Sequence, residues 1–340
     1  MDKQDKVKKP NKDSSKILWL LYALLAVLIV MYAIRNNPAI GAAALITIVV
    51  VLVVEFKYSV KSEGIRKSVI DVVVALGAVA IIWGVLIVVL HTSAPIDVVS
   101  SCSMLPVLQR GNLVALHGIN NVTNFLKEHD VPVVNVTAPQ MDSFLSNIRN
   151  EFVSYYAYSP SNPSEIATTL TGSQYQIGLY NNKCLNTYSA IGQYNNYYKC
   201  RVQNSVQNSN LIQYNYTVGN ITINGIGYKE IYTQTVTISN TTITENYSNP
   251  IVVYKTNSND SFSGDIIHRL VAVIRSGNEY YFLTKGDNNP GFDIQFANYP
   301  ATQAGVIGYY VGGIPIIGYL KLIISGNLEG DAQCNQVIAH

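Results

Sequence analysis

The chain has 340 residues, a formal net charge of +2, only 13% charged residues and a mean hydropathy of +0.17. That length holds two modest domains plus a membrane region, and so apolar a composition is unusual for a wholly soluble protein. The small, scattered positive charge argues against a nucleic-acid binder. Four cysteines without a CxxC pair or zinc-site spacing argue against a zinc module, so neither a metal nor a cofactor is expected.

From the N-terminus, Lys3, Lys6, Lys8, Lys9, Lys12 and Lys16 form a solvated basic tail. Ile17–Ile34 follows as 18 residues without a charge, enough to cross a hydrocarbon core of about 30 Å. A cleaved secretory signal has an apolar core of about 7–15 residues and a small-residue cleavage site. This run is longer and ends Met31-Tyr32-Ala33-Ile34-Arg35, so a retained helix is expected. Ala39–Val54 is a second, shorter apolar run. Val72–Leu90 is the uncharged part of a third, which extends over 68–90. The tail and the Lys57, Lys61, Arg66, Lys67 loop are basic, whereas only Arg35 lies between the first two runs. The positive-inside rule therefore predicts a cytoplasmic tail, three crossings and an external position for everything after Leu90.

Residues 91–118 contain Ser100 to Leu116, reading SSCSMLPVLQRGNLVAL, in which an Arg110-Gly111-Asn112 turn precedes an apolar strand. From 119 to 263 the composition turns to Asn, Thr, Ser and Tyr. Seven N-x-S/T sequons fall there, at Asn121, Asn135, Asn215, Asn220, Asn240, Asn246 and Asn259, as candidate glycosylation sites. Tyr232–Thr244 alternates branched apolar and polar side chains, the pattern of a half-buried strand, so a large β-rich region is expected. A disulfide between Cys184 and Cys200 would close a 15-residue loop, worth about 3 kcal/mol on chain-entropy grounds. Residues 264–325 hold Asp265-Ile266-Ile267-His268-Arg269-Leu270-Val271, then Gly286-Asp287-Asn288-Asn289 and Asp293. Gly305–Ser325 reads as a strand leading to an interfacial segment, with a fourth spanning helix as its rival. Residues 326–340 are a tail.

The Ser101-Cys102-Ser103-Met104-Leu105-Pro106 box, the His268-Arg269 box and the Gly286-Asp287-Asn288-Asn289 box with Asp293 together resemble the type I signal peptidases. The resemblance is to the archaeal and endoplasmic-reticulum branch, where a histidine replaces the bacterial lysine. It covers roughly 97–117 and 264–320. It implies a mainly β catalytic domain, signal peptidase-like, in two sequence-distant parts, anchored by about three N-terminal transmembrane α-helices and split by a large β-rich insert.

The resemblance also assigns roles. Ser103 would be the nucleophile and His268 the general base, since an unperturbed histidine titrates near ~6.5 and can accept a proton at neutral pH. Asp293 would orient His268 and Asp287 would support, with the reverse open. Ser101 and the Ser103 backbone N–H would form the oxyanion hole, and Met104 would border the substrate. His117 is the competing histidine. Lys285 suggests a Ser–Lys dyad but falls in the wrong box. Cys102 stands where glycine is common and invites a thiol reading that the motif register disfavours. Asn112 replaces the usual acid after Arg-Gly.

The implied activity is that of a membrane-bound signal peptidase I, a serine endopeptidase cutting preproteins on the outer face of the cytoplasmic membrane. Signal-peptide-bearing preproteins, the lipid bilayer and the export channel are the implied partners. Only 13 positions separate Leu90 from Ser103, which suggests an active site close to the bilayer surface. Two alternatives remain: a non-catalytic glycosylated surface or assembly protein on a peptidase scaffold, and a specialised processing peptidase with few clients.

Overall fold

A computed structural model describes residues 12–35, 37–148, 154–157, 169–171, 174–176, 190–191, 198–201, 211–223, 226–258, 260, 262–327, 334 and 336–339. The chain divides into two compact units.

The first unit comprises residues 1–100, 110–115 and 312–331. Three helices open it: α1 (Lys12–Arg35), α2 (Pro38–Glu63) and α3 (Ile65–Leu90). All three contain stretches long and apolar enough to cross a membrane. Asn37 caps α2, its side chain accepting from Ala39 N at 2.9 Å, and Pro38 fits the first turn because no N–H is needed there. The basic stretch Lys57–Lys67 is not the expected loop. It is helical except at Gly64, whose φ of 84° breaks α2 from α3. The helices continue past the apolar runs because Lys, Glu and Ser are adequate helix formers once a helix is nucleated.

The rest of this unit pairs β1 (Ile96–Val98) with the first three residues of β2 (Leu113–His117), antiparallel. Buried Arg110 holds the connection: Nε donates to Ser100 O at 2.9 Å, and Nη2 donates to Tyr32 OH at 3.1 Å and Asn327 O at 3.0 Å. Gly111 has φ 85°, and a Cβ there would lie 2.2 Å from the Tyr319 ring. Arg110-Gly111 is thus a structural signature, one residue an anchor and the other a space requirement. Downstream, β16 (Val306–Ile314) leads into α6 (Gly318–Ile324), whose seven residues are too few to span a bilayer. Tyr319, Leu322 and Ile323 of α6 pack with Tyr32 and Ala44.

The second unit comprises residues 101–109, 116–311 and 332–340. After α4 (Val122–Glu128), β3 (Val133–Val136) and α5 (Ala138–Ser146) come short strands, β4 (Ser154–Ala157), β5 (Thr169–Thr171), β6 (Gln174–Gln176), β7 (Ala190–Ile191) and β8 (Tyr198–Arg201). Longer ones follow: β9 (Ile212–Ile223), β10 (Ile226–Ile238), β11 (Thr241–Thr244), β12 (Ile251–Lys255), β13 (Asp265–Ser276) and β14 (Glu279–Lys285). The last are β15 (Ala301–Thr302), β16 and β17 (Gln336–Ala339).

The spine is β13, an apolar run covered on both faces. Along one edge it pairs antiparallel with β12 and then parallel with β3; along the other it pairs with β14. The order β16-β12-β13-β14-β15 completes this sheet. A second sheet runs β17-β9-β10-β4-β8-β7, with β11 on β10. One face of β13 and β14 packs on α5 and on Val236, Ile238 and Ile243; the other packs on α4 and Tyr254.

Two further placements differ from the sequence reading. The alternation from Tyr232 to Thr244 is folded into a hairpin, because Ser239 and Asn240 turn with φ of 47° and 72°. A short polar side chain makes such a left-handed conformation affordable at Asn240. Strand β12, within the residues assigned to the insert, is a central strand of the main sheet and pairs with both β13 and β16. Its Ile-Val-Val-Tyr run is fully covered, as an interior strand requires. Of the expected Cys184–Cys200 pair, Cys184 and the Cys200 side chain lie outside the described residues.

Candidate active site

Ser103, His268 and Asp293 converge in the second unit from three separate segments. His268 sits on β13 opposite Val252 of β12, on the strand face shared with Ile266 and Leu270. Its Nε2 is 2.9 Å from Ser103 Oγ, and its Nδ1 is 2.8 Å from both carboxylate oxygens of Asp293. All three residues are buried. The sequence left open which aspartate meets the histidine; it is Asp293.

The carboxylate environment determines where the protons lie. Asp293 Oδ2 also accepts from Tyr254 OH at 2.8 Å and from Thr284 Oγ1 at 2.5 Å. Burial first, and the Asp293 charge second, push the Tyr254 hydroxyl well above its ordinary range, so it remains a donor. An acceptor-only carboxylate makes Nδ1 of a neutral His268 the protonated nitrogen. Nε2 is then the acceptor, and it faces the Ser103 hydroxyl. With that hydroxyl proton committed to Nε2, Ser101 is the donor in the 3.1 Å contact between the two serine hydroxyls. Its O–H group therefore sits beside Ser103 Oγ.

Asp287 does not meet His268. Arg269 grips it with two parallel bonds, Nε to Oδ1 at 2.8 Å and Nη2 to Oδ2 at 2.7 Å. Nη1 of Arg269 donates to Tyr247 O at 2.6 Å and Asn249 O at 2.7 Å. Across the ladder Arg269 stands opposite Lys285. Two like charges there would repel, but each has its own carboxylate: Lys285 Nζ lies 2.7 Å from Glu245 Oε2. Lys285 is thus committed to Glu245 rather than to Ser103.

The Arg269 grip anchors the turn after β14, and that turn supports the nucleophile. Asn288 N donates to Ser103 O at 2.7 Å. A Cβ on Gly286 would come within 2.7 Å of the same oxygen, so only glycine lets the turn lie this close. Gly286-Asp287-Asn288 is therefore more than turn chemistry.

The remaining candidates are placed as follows. Met104 is fully buried, its carbonyl accepting from Leu108 N at 2.9 Å. Cys102 is bonded to Cys334 and is not a thiol nucleophile. His117 is away from this cluster, with Nδ1 at 2.8 Å from Gly118 O and its ring against Tyr309. Sequon residues Asn121, Asn135, Asn215, Asn220, Asn240 and Asn246 are exposed, and Asn259 lies outside the described residues. Sequence reasoning missed Tyr254, Thr284, Asn288 and Cys334. Asn288 was visible only as part of its box, and Tyr254 and Thr284 carried no local signal.

A mainly antiparallel β unit brings Ser103, His268 and Asp293 together, in a chain with three long apolar helices. Comparison with known proteins narrows the reading. The chain is 32% identical over 81 residues to the signal peptidase complex catalytic subunit SEC11 of Yarrowia lipolytica, covering 23% of this chain and 45% of that protein. It is 36% and 38% identical over 80 residues to the subunits of the same name from Colletotrichum graminicola and Sclerotinia sclerotiorum. Each of these matches covers 22% of this chain and 44% of the relative, so the similarity spans less than half of the relatives' length. No family model and no solved structure matches the chain. The chain is similar to type I signal peptidases of the endoplasmic-reticulum and archaeal branch.

Proposed function

We propose that this chain is a membrane-bound signal peptidase I, a serine endopeptidase that removes signal peptides from exported preproteins on the outer face of the cytoplasmic membrane. The observation that carries the reading is the unbroken line from Ser103 Oγ through both nitrogens of His268 to Asp293. Similarity to SEC11 subunits supplies the substrate class.

In this reading Ser103 Oγ attacks the scissile carbonyl while His268 Nε2 takes its proton. Asp293 holds the ring and stabilises the imidazolium, itself held by Tyr254 and Thr284. The Ser103 N–H and the Ser101 hydroxyl donate to the oxyanion, the carbonyl oxygen whose negative charge develops as Ser103 Oγ adds. His268 then gives the proton to the leaving amine. Water, activated by the same nitrogen, hydrolyses the Ser103 ester and restores the serine. The catalytic sheet is signal peptidase-like, and much of the β-rich region between β3 and β12 is an insert carrying exposed sequons on the outer side.

The test is cleavage of a preprotein with an Ala-x-Ala site by membranes carrying the wild type, Ser103→Ala or His268→Ala. Cleavage by the wild type with a loss of at least about 10³-fold in both variants is expected. Full activity in Ser103→Ala would refute the assignment.

A further inference from the structure

We propose that Cys334 and the strand β17 (Gln336–Ala339) form part of the support of the nucleophile, with Asn288 and Cys334 as positioning residues for Ser103. The inference rests on the peptidase reading for its catalytic consequence, but its geometry stands alone.

Cys102, directly before Ser103, is bonded through sulfur to Cys334, with the two Cα atoms 4.9 Å apart. Its carbonyl accepts from Asn288 Nδ2 at 3.1 Å, and the Ser103 carbonyl accepts from Asn288 N at 2.7 Å. One residue therefore holds both peptide groups that flank the Ser103 Cα. The other end of the same side chain, Oδ1, accepts from Ile338 N at 2.9 Å. Ile338 is buried and pairs with Ile221 in the ladder of β17 with β9. Asn288 is thus a bridge from the tail strand to the nucleophile turn, and the disulfide is a second bridge four residues away.

The consequence follows from peptide planarity. In a trans peptide the N–H of Ser103 points opposite to the Cys102 carbonyl, so a donor fixed on that carbonyl fixes the direction of the N–H. That N–H is the backbone half of the oxyanion hole. Donors there act through their orientation before the reaction begins, and misplacement is costly in rate rather than in substrate affinity. The Cys102 side chain, present where related motifs carry glycine, is the attachment point of this clamp.

The experiment compares wild type, Asn288→Ala and the double variant Cys102→Ser/Cys334→Ser, using the full chain in membranes and a preprotein substrate. Asn288→Ala is expected to lower kcat by roughly 10- to 100-fold with KM changed less than about twofold, a fraction of the loss when an oxyanion donor is removed. The double variant is expected to lower kcat about 3- to 10-fold, because Asn288 is left to hold the turn alone and less firmly. Hydrogen exchange read in parallel should show the Asn288 and Ile338 amides losing protection in the double variant. A rise in KM at constant kcat, or unchanged protection at both amides, would overturn the proposal. If even the wild type fails to cleave, the peptidase reading fails while the exchange data still decide whether the tail clamps the turn.

Discussion

In α1–α3 the side chains left uncovered include Leu20, Ile81 and Val88, each 70–71% exposed, whereas β13 and β14 enclose Arg269, His268 and Lys285 at 7% or less. Each region inverts the ordinary distribution of apolar and charged surface. The helices expose apolar surface on a scale that water would not tolerate and hydrocarbon would, which suggests membrane anchoring. The sheet encloses polar and charged groups, and it supplies each with a partner: Asp293 for His268, Asp287 for Arg269 and Glu245 for Lys285. In the helices it is an environment outside the protein that would have to replace water; in the sheet the protein itself replaces it. The second solution demands fixed geometry, and fixed geometry is also what a preorganised reaction site needs.

The largest test of that difference is removal of charge from the site without change of shape. Asp293→Asn preserves volume but can present an N–H to Nδ1, favouring the wrong tautomer of His268. We expect kcat to fall by about 10³- to 10⁴-fold with the fold intact, checked by initial rates and circular dichroism.

Next in size is the enclosed Arg269–Asp287 pair. Arg269→Met leaves Asp287 buried without its cation and should cost about 3–5 kcal/mol in chemical denaturation. Arg269→Met combined with Asp287→Leu should cost clearly less than the first substitution alone, because no unpaired charge remains. If the single variant were as stable as wild type, the enclosed charges would not depend on their partners.

The helices call for the converse experiment. Leu76 of α3 is exposed and near the helix centre. Leu76→Lys should disfavour insertion by about 2.5–3.5 kcal/mol, read as reduced resistance to alkaline extraction from membranes. A charge at an exposed position of a water-facing helix would have almost no effect, so an unchanged partition would refute the membrane reading of α3.

The smallest effect concerns Tyr254. Its hydroxyl is held protonated in the folded protein while an unfolded tyrosine ionises near pH 10. A group whose folded value is raised contributes stability that is complete below about pH 10 and is lost as the pH climbs toward the folded value. Tyr254→Phe should therefore make stability fall less steeply above pH 10. At neutral pH it should lower kcat about tenfold, through loss of one donor to the Asp293 carboxylate. Urea midpoints across the alkaline range check the first effect and initial rates the second.

Much of this is legible in the sequence alone. Three apolar runs of spanning length declare themselves in one dimension, because a helix in lipid satisfies its backbone internally and needs only local composition. Ser103, His268 and Asp293 were legible as motif residues, and the alternation around Val236 and Ile238 as a covered strand face. Tertiary structure alone decided the rest. Asp293, which opens the 3-10 turn Asp293–Gln295, rather than Asp287 bonds His268, while Asp287 is captured by Arg269. Cys102 joins Cys334 across 232 residues, a pairing that spacing could not suggest. Tyr254, Thr284 and Asn288 matter through bonds to residues nine to 186 positions away. Local sequence specifies what a segment tends to form and how apolar it is. Which side chain meets which across a sheet is set by strand register and by loops returning from far along the chain, and that is where the partners of the site were decided.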